Sequence, residues 1–351
     1  MEELLRTLSS LPGPTGEEDA VLDWLAAEWE GRGELVRTPV GNLLLRIPGP
    51  GRRVLVAAHA DELSLIVRSV TPEGFLRVLP GERDHFPAPY FFGAPLRVLA
   101  GSGHLPGVFA TTTGHALTPE QRERHRLGWD DVFVDVGMTA AEAAEAGIRV
   151  GTRIVWDPGV RRVGRLLVGK AMDDRLGVAV LVEIARRIDR ARLRFDLTLA
   201  ATVQEEIGLL GAASLARGGR DYDVGFIVDN GVAGDTPTVS PAHVPVRLGG
   251  GPALVHRDTS AHYSRRLISE LHATAAREGV PVQDAVFYHY NSDGATLLRQ
   301  GIETALVAPP IRYSHSPFEA VDPFDVEATV RLLVAYLTSA PWRTNSSTEH
   351  E

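Results

Sequence analysis

Five separate segments of this chain carry residue types that bind divalent metals: His59 with Asp61, Asp173 with Asp174, Glu205 with Glu206, Asp229, and His315. Carboxylate oxygen and imidazole nitrogen suit zinc, and carboxylates also suit manganese. The set holds more carboxylates than one ion needs, so it reads as two ions sharing a bridging acid. Most of these residues come directly after short apolar runs, at 54–58, 197–203 and 224–228. Such runs read as buried strands. In an open α/β sheet, ligands bind beyond the carboxyl ends of the strands.

Each motif also has a plainer reading. His59 and Asp61 are two residues apart, which in extended backbone keeps both side chains on one side. One can bind metal while the other orients it through a hydrogen bond; the alternative is a loop histidine satisfied by hydrogen bonds. Asp173 and Asp174 lie where a loop runs into a helix, so they suit either capping of that helix or a carboxylate between two cations. Glu205 and Glu206 end an otherwise apolar strand, where a solvated face is a poor account of them. Neighbouring carboxylates repel, and a cation would relieve them. One would be a ligand, the other a general base for a water whose pKa the metal lowers. Asp229 opens Asp229-Asn230-Gly231, also a turn signal. His315 lies in a loop after the run 303–308. The remaining histidines, His256 and His272 among them, have no comparable setting.

The elements that must position these residues follow an α/β rhythm. Strands are expected near 34–38, 43–47, 53–58, 195–203, 224–228, 282–287 and 303–308. Helices are expected near 174–188, 209–217, 258–278, 292–299 and 322–339. Thr15-Gly16-Glu17-Glu18 reads as a capping box opening an amphipathic helix with Val21, Leu22, Leu25 and Ala26 on its apolar face. Between about 80 and 160 the pattern changes to short β-like runs rich in glycine and proline, with a second capping box at Thr139-Ala140-Ala141-Glu142. The expected organisation is a discontinuous α/β domain of residues 1–69 and 161–342, a β-rich insertion of residues 70–160, and a flexible polar tail of residues 343–351.

Composition narrows the function classes. The chain has 351 residues, 44% hydrophobic and 23% charged, ordinary for a soluble globular protein with a large core. A net charge of −9, with arginines interspersed among acids, speaks against nucleic acid as a partner. No stretch approaches the roughly 18 apolar residues of a spanning helix, and the N-terminus lacks a signal-peptide core, so no membrane partner is expected. The absence of cysteine removes thiolate nucleophiles, disulfides and cysteine-ligated zinc. It fits a cytoplasmic location.

The order His-x-Asp, Lys-Ala-x-Asp-Asp-Arg, Glu-Glu-x-Gly, a strand-terminal Asp and Arg-Tyr-x-His-Ser-Pro-x-Glu resembles the TET-type metallo-aminopeptidases, the forty-second metallopeptidase family. The likeness runs from about residue 3 to residue 340. It implies a mixed-sheet, phosphorylase/hydrolase-like catalytic domain of the two-metal exopeptidases, with an inserted small β-rich domain. It implies one ion held by His59, Asp229 and Asp173, and a second by Asp173, Glu206 and His315, with Asp173 as the bridge. Glu205 would be the general base and acid, and Asp61 would orient His59. Zinc is the first expectation for the metal, with cobalt or manganese behind it. Asp293, in Asn291-Ser292-Asp293-Gly294-Ala295, and Arg312 and Tyr313, in the last motif, are expected at the substrate. The inserted domain would mediate dimer contacts, and six dimers would form a tetrahedral dodecamer admitting only short peptides. The implied activity is removal of N-terminal residues from such peptides. Other classes stay open at this point. A deacylase or carboxypeptidase on the same centre would need a cation such as Arg312 for the substrate carboxylate. A glycosidase would need two carboxyl groups and no metal. A non-catalytic regulatory relative is the third.

Overall fold

Four apolar strands, Arg53–His59, Asp196–Thr202, Val224–Val228 and Glu303–Ala308, lie side by side and parallel at the centre of an eight-stranded sheet. Their residues are buried almost without a break. Strands covered on both faces need no polar alternation, which is why the sequence shows continuous apolar runs there. The computed structural model describes residues 1–82, 88, 92–123, 127–157, 159–215 and 221–338. The expected tail, residues 343–351, lies outside them.

The sheet is mixed. Leu43–Ile47 runs antiparallel beside Asp196–Thr202, with Glu34–Arg37 beyond it. On the other side Ala253–Arg257 runs antiparallel to Glu303–Ala308, and Gln283–Val286 forms the far edge. The helix Met172–Arg187 packs against strand Arg53–His59 and against helices Glu2–Ser10 and Pro323–Thr338. Nearly every residue of Met172–Arg187 is buried, so it lacks the amphipathic stripe of a surface helix. One apolar cluster joins these helices to the sheet. Among the described residues, no helix is long and apolar enough to cross a membrane.

In the chain between strand Arg53–His59 and that helix, six strands close into a barrel: Leu65–Val70, Leu76–Pro80, Pro95–Ala100, Gly103–Thr111, Val132–Asp135 and Arg153–Trp156. Closure leaves no free sheet edge, and the barrel encloses its own cluster, including Leu65, Val78, Val98, Val134 and Ile154. Its first strand begins at Leu65, upstream of the boundary expected at 70. The capping box at Thr139 forms: Glu142 N donates to Thr139 Oγ1 at 3.3 Å, and Thr139 N donates to Glu142 Oε2 at 2.8 Å.

Other expectations are corrected. The Thr15 capping box does not form; the following helix spans Asp19–Trp29, and Thr15 gives its hydroxyl to Asp61. The helix expected from 258 begins at Arg265, capped by Ser264 Oγ at 3.2 Å from Leu267 N. Asp258 instead closes a turn, accepting from Ser260 N and Ala261 N. The helix near 209–217 spans Leu210–Leu215, with 216 and 217 outside the described residues. Helix Glu2–Ser10 and strand Ala253–Arg257 were not anticipated. Nor was a second sheet of five short strands, in the order Arg161–Val163, Leu166–Gly169, Glu319–Val321, Pro310–Arg312 and Gly231–Val232.

Candidate metal centre

The carboxyl ends of the parallel strands gather the first group of side chains. His59 is the last residue of its strand and sits in register with Thr202. Glu205 and Glu206 follow Thr202 within four residues, and Asp229 follows Val228. The second sheet supplies the rest. Gly169 pairs with Glu319, which brings the loop carrying Asp173 beside the loop carrying His315.

Asp173 lies between the two histidines. Its Oδ1 is 3.1 Å from His59 Nε2, and its Oδ2 is 3.3 Å from His315 Nε2. Glu206 Oε2 is 3.7 Å from the same His315 nitrogen. Donor atoms of His59, Asp173 and Asp229 lie within 4.8 Å of one another, as do those of Asp173, Glu206 and His315. Asp173 belongs to both groups. Glu205, with His59 and Glu206, forms a third group of the same compactness.

The neighbouring acids do different work. Asp61 is fully buried; its Oδ1 lies 3.3 Å from His59 Nδ1 and accepts from Glu205 N at 3.0 Å. Its Oδ2 accepts from Thr15 Oγ1 at 2.8 Å and Glu206 N at 3.1 Å. One carboxylate therefore faces the outer nitrogen of His59 at ion-pair distance and holds the backbone of both glutamates by hydrogen bonds. Asp174 accepts from Gly177 N at 3.1 Å and His59 N at 3.3 Å. The capping account thus fits Asp174, while Asp173 faces the histidines. Ser314 Oγ donates to Asp173 Oδ2 at 2.9 Å.

Glu319 holds the two loops together. Its Oε2 accepts from Asp173 N at 3.0 Å and its Oε1 from His315 N at 2.8 Å. Nearby, Gln204, Tyr313 and His315 adopt positive φ of 55°, 62° and 64°, as does Ala171 at 53°. Such backbone costs about 1–3 kcal/mol per non-glycine residue and persists where surrounding contacts over-determine it.

Electrostatics test whether divalent cations suit these residues. Burial pushes Glu205 well above the usual carboxylate range, with Glu206 and Asp229 adding repulsion. Burial likewise raises Glu206 to about 8 and Asp229 to about 6, with Asp173 adding to each. Burial opposes charge on His59 and His315 too, yet the facing carboxylates hold His59 well above its ordinary value and His315 at about 10. Asp173, against the same burial, is held below the carboxylate range by His315 and His59. Protons are thus retained where carboxylates crowd and where imidazoles face them. A divalent cation beside the same atoms would displace those protons. The donor set fits: two imidazoles and several carboxylates are a chemistry zinc, cobalt and manganese accept.

The residues expected at the substrate differ from one another. Asp293 is buried; its Oδ2 accepts from Thr202 Oγ1 at 2.7 Å, its Oδ1 has no hydrogen-bond partner, and burial raises its pKa to about 7. Tyr313 is half exposed, its ring 6.2 Å from that of Phe318. Arg312 is engaged elsewhere, since its guanidinium pairs with both oxygens of Asp235 at 2.7 and 2.6 Å. Thr15 and Glu319 went without a role in the sequence. Glu319 carried a signal, an acid four residues after His315; Thr15 carried a misleading one, its place in an apparent capping box.

Residues 41–332 match the model of the M42 glutamyl aminopeptidase family. The lysyl aminopeptidase of Pyrococcus furiosus is 29% identical over 347 residues, covering 95% of this chain and 96% of that enzyme. The crystal structure of a TET aminopeptidase from a marine sediment archaeon, Thaumarchaeota archaeon SCGC AB-539-E09, superposes with a TM-score of 0.90 at 30% identity, over 96% of this chain and 95% of that one. The TET1 peptidase of Pyrococcus horikoshii, which can assemble into a tetrahedron or a large octahedral shell, gives 0.85 at 28% identity, over 96% and 98%. With its matched region running through the sheet, the barrel and the candidate centre, the chain belongs to the M42 aminopeptidase family.

Proposed function

We propose that this protein is a two-metal aminopeptidase that removes N-terminal residues from short peptides in the cytoplasm. The observation that carries the reading is Asp173, whose two oxygens face the histidines of two different donor groups. His59, Asp173 and Asp229 would hold one ion; Asp173, Glu206 and His315 would hold the other. Divalent ions there, zinc first and cobalt or manganese next, supply Lewis-acid polarisation of the scissile carbonyl and lower the pKa of water. Glu205 takes the proton from the attacking water and delivers it to the leaving amine. Its burial suits that role, because a carboxylate with a raised pKa both accepts and returns a proton near neutrality. Asp61 would orient His59 through its outer nitrogen, 3.3 Å away, and it accepts from the backbone N–H of Glu205. Asp293 and Tyr313 contact the peptide.

The discontinuous α/β unit is the catalytic domain in this reading, and the barrel between its halves is the dimerisation element. By analogy with the TET1 peptidase, dimers assemble into a dodecamer. A deacylase or carboxypeptidase reading loses support because Arg312 is already paired with Asp235.

The test is mass spectrometry of a mixed short-peptide pool, with wild type and Glu205→Gln side by side under zinc, cobalt or manganese. Stepwise loss of N-terminal residues by wild type alone is expected. No cleavage under any of the three metals would sink the reading.

A further inference from the structure

Two histidines that the catalytic reading does not use converge on one aspartate at one edge of the sheet. His256 Nε2 lies 2.7 Å and His272 Nε2 2.9 Å from Asp284 Oδ1, and the donor atoms of all three residues fall within 4.8 Å of one another. The three come from different elements. His256 is on strand Ala253–Arg257, Asp284 on the edge strand Gln283–Val286, and His272 on helix Arg265–Glu278. Four strand spacings, about 19 Å, separate the edge strand from the strand that ends in His59.

The backbone aims these side chains. The ladder between the two strands shifts register between Val255 and Arg257, so His256 is an extra residue without a partner across the ladder. Such bulges re-aim a side chain, and here the re-aimed imidazole meets that of His272. All three side chains are partly open to solvent, at 44%, 39% and 53% for His256, His272 and Asp284. An ion can therefore reach them without any opening of the fold.

We propose that His256, His272 and Asp284 bind a further divalent cation, zinc in the first place, as a structural clip. Two imidazoles and one carboxylate make a three-ligand zinc set, and a water would complete the closed four-coordinate shell of a structural site. Zinc bonds of about 2.05 Å at tetrahedral angles put ligand atoms about 3.3 Å apart. The His–Asp distances need to open by about half an ångström, a shift that exposed side chains make by small rotations. Both histidines ligate through Nε2 as neutral imidazoles carrying their proton on Nδ1. The ion pins the edge strand to the helix. The inference stands apart from the catalytic reading, since it uses none of its residues.

The experiment measures zinc per chain in the full-length protein after equilibrium dialysis against buffered zinc. Wild type, His272→Ala and Asp284→Asn are compared. Wild type is expected to hold one more zinc per chain than either variant, whatever number the catalytic centre retains. Because only the difference is read, failure of the two-metal reading leaves this test intact. Unchanged peptide hydrolysis and far-UV circular dichroism in the variants check that the fold is kept. Zinc-edge anomalous diffraction from wild-type crystals is the second measurement, with a peak expected between the three side chains. Equal zinc content in wild type and variants, or no anomalous peak, overturns the proposal and leaves a hydrogen-bonded His–Asp–His surface cluster.

Discussion

Asp61→Asn is the substitution whose outcome follows most directly from the geometry. It preserves size and one acceptor, but it removes the symmetry on which the aspartate depends. Each carboxylate oxygen accepts from a buried backbone N–H: Oδ1 from Glu205 N and Oδ2 from Glu206 N. An amide has one acceptor oxygen and one donor nitrogen, so either orientation sets an NH2 group against one of those N–H groups. A buried donor left unpaired costs about 1–3 kcal/mol. The two orientations differ in what else they disturb. With nitrogen at the Oδ2 position, Thr15 can turn its hydroxyl to accept, and only Glu206 N loses its partner. With nitrogen at the Oδ1 position, His59 Nδ1 faces a donor and must itself become the acceptor. Its proton then moves to Nε2, the nitrogen that faces Asp173, and ligation through Nε2 is blocked.

The first orientation is therefore the better one, but it leaves His59 with a neutral oxygen where a carboxylate stood. Replacing the carboxylate partner of a ligating histidine lowers metal affinity or activity by about 10–100-fold. Asp61→Asn should thus lose about 1–3 kcal/mol of stability and release the ion at His59 at chelator concentrations about 10–100-fold lower. The ion at His315 should be released more easily too, but by less, because the substitution unpairs the backbone N–H of Glu206 without touching a ligand atom of that ion. Competition titration with a chromophoric chelator, read as two separate release steps, together with urea unfolding of the metal-free protein, measures both. Asp61→Asn with wild-type stability and two unchanged release steps would refute the assignment of Asp61 as the residue that orients His59.

Four further outcomes are expected. Glu205→Gln should keep its metals and lose about 10²–10⁴-fold in kcat; steady-state kinetics with metal analysis checks this, and unchanged turnover removes Glu205 as the base. Chelation should abolish hydrolysis and lower the melting temperature, because ions that bind only the folded state stabilise it by mass action; a chelator-insensitive melt and activity would oppose the two-metal reading. Glu319→Gln meets two backbone donors, Asp173 N and His315 N, with one acceptor, so unfolding should show a loss of about 1–3 kcal/mol and metal retention should weaken. Lys170→Met removes the cation that donates to both oxygens of buried Glu62 at 2.7 Å. Arg175 Nη2, 3.6 Å from Glu62, remains as a second buried cation, so the loss should fall short of the roughly 3–5 kcal/mol of an uncompensated buried charge, which denaturant unfolding would read.

The histidines show why the candidate centre was legible in the sequence and the surface cluster was not. His59, Glu205, Glu206 and Asp229 announce themselves because parallel strands end together. An apolar run of five to seven residues followed by an acid or histidine therefore fixes both the element and the end of the sheet at which the side chain lies. His315 and Asp173 depend on strands of three and four residues, Glu319–Val321 and Leu166–Gly169, too short to show a period. Their residue types and loop positions pointed to them, without a strand period to fix where they lie. Thr15 misled because its spacing to Glu18 fits a local cap, whereas the folded chain offers its hydroxyl a buried carboxylate 46 residues away and offers Glu18 the backbone of Gln204. Local pattern lost to long-range partners at the place where the site required them. His256 and His272 lie beyond such reading for a related reason. Their meeting is created by a one-residue bulge and by a helix that starts at Arg265, seven residues later than the pattern suggested. A helix beginning at 258 would have absorbed the loop 258–264 that lets Arg265–Glu278 fold back along strand Ala253–Arg257. The cluster is thus a product of the same turn at Asp258 that the helical pattern concealed.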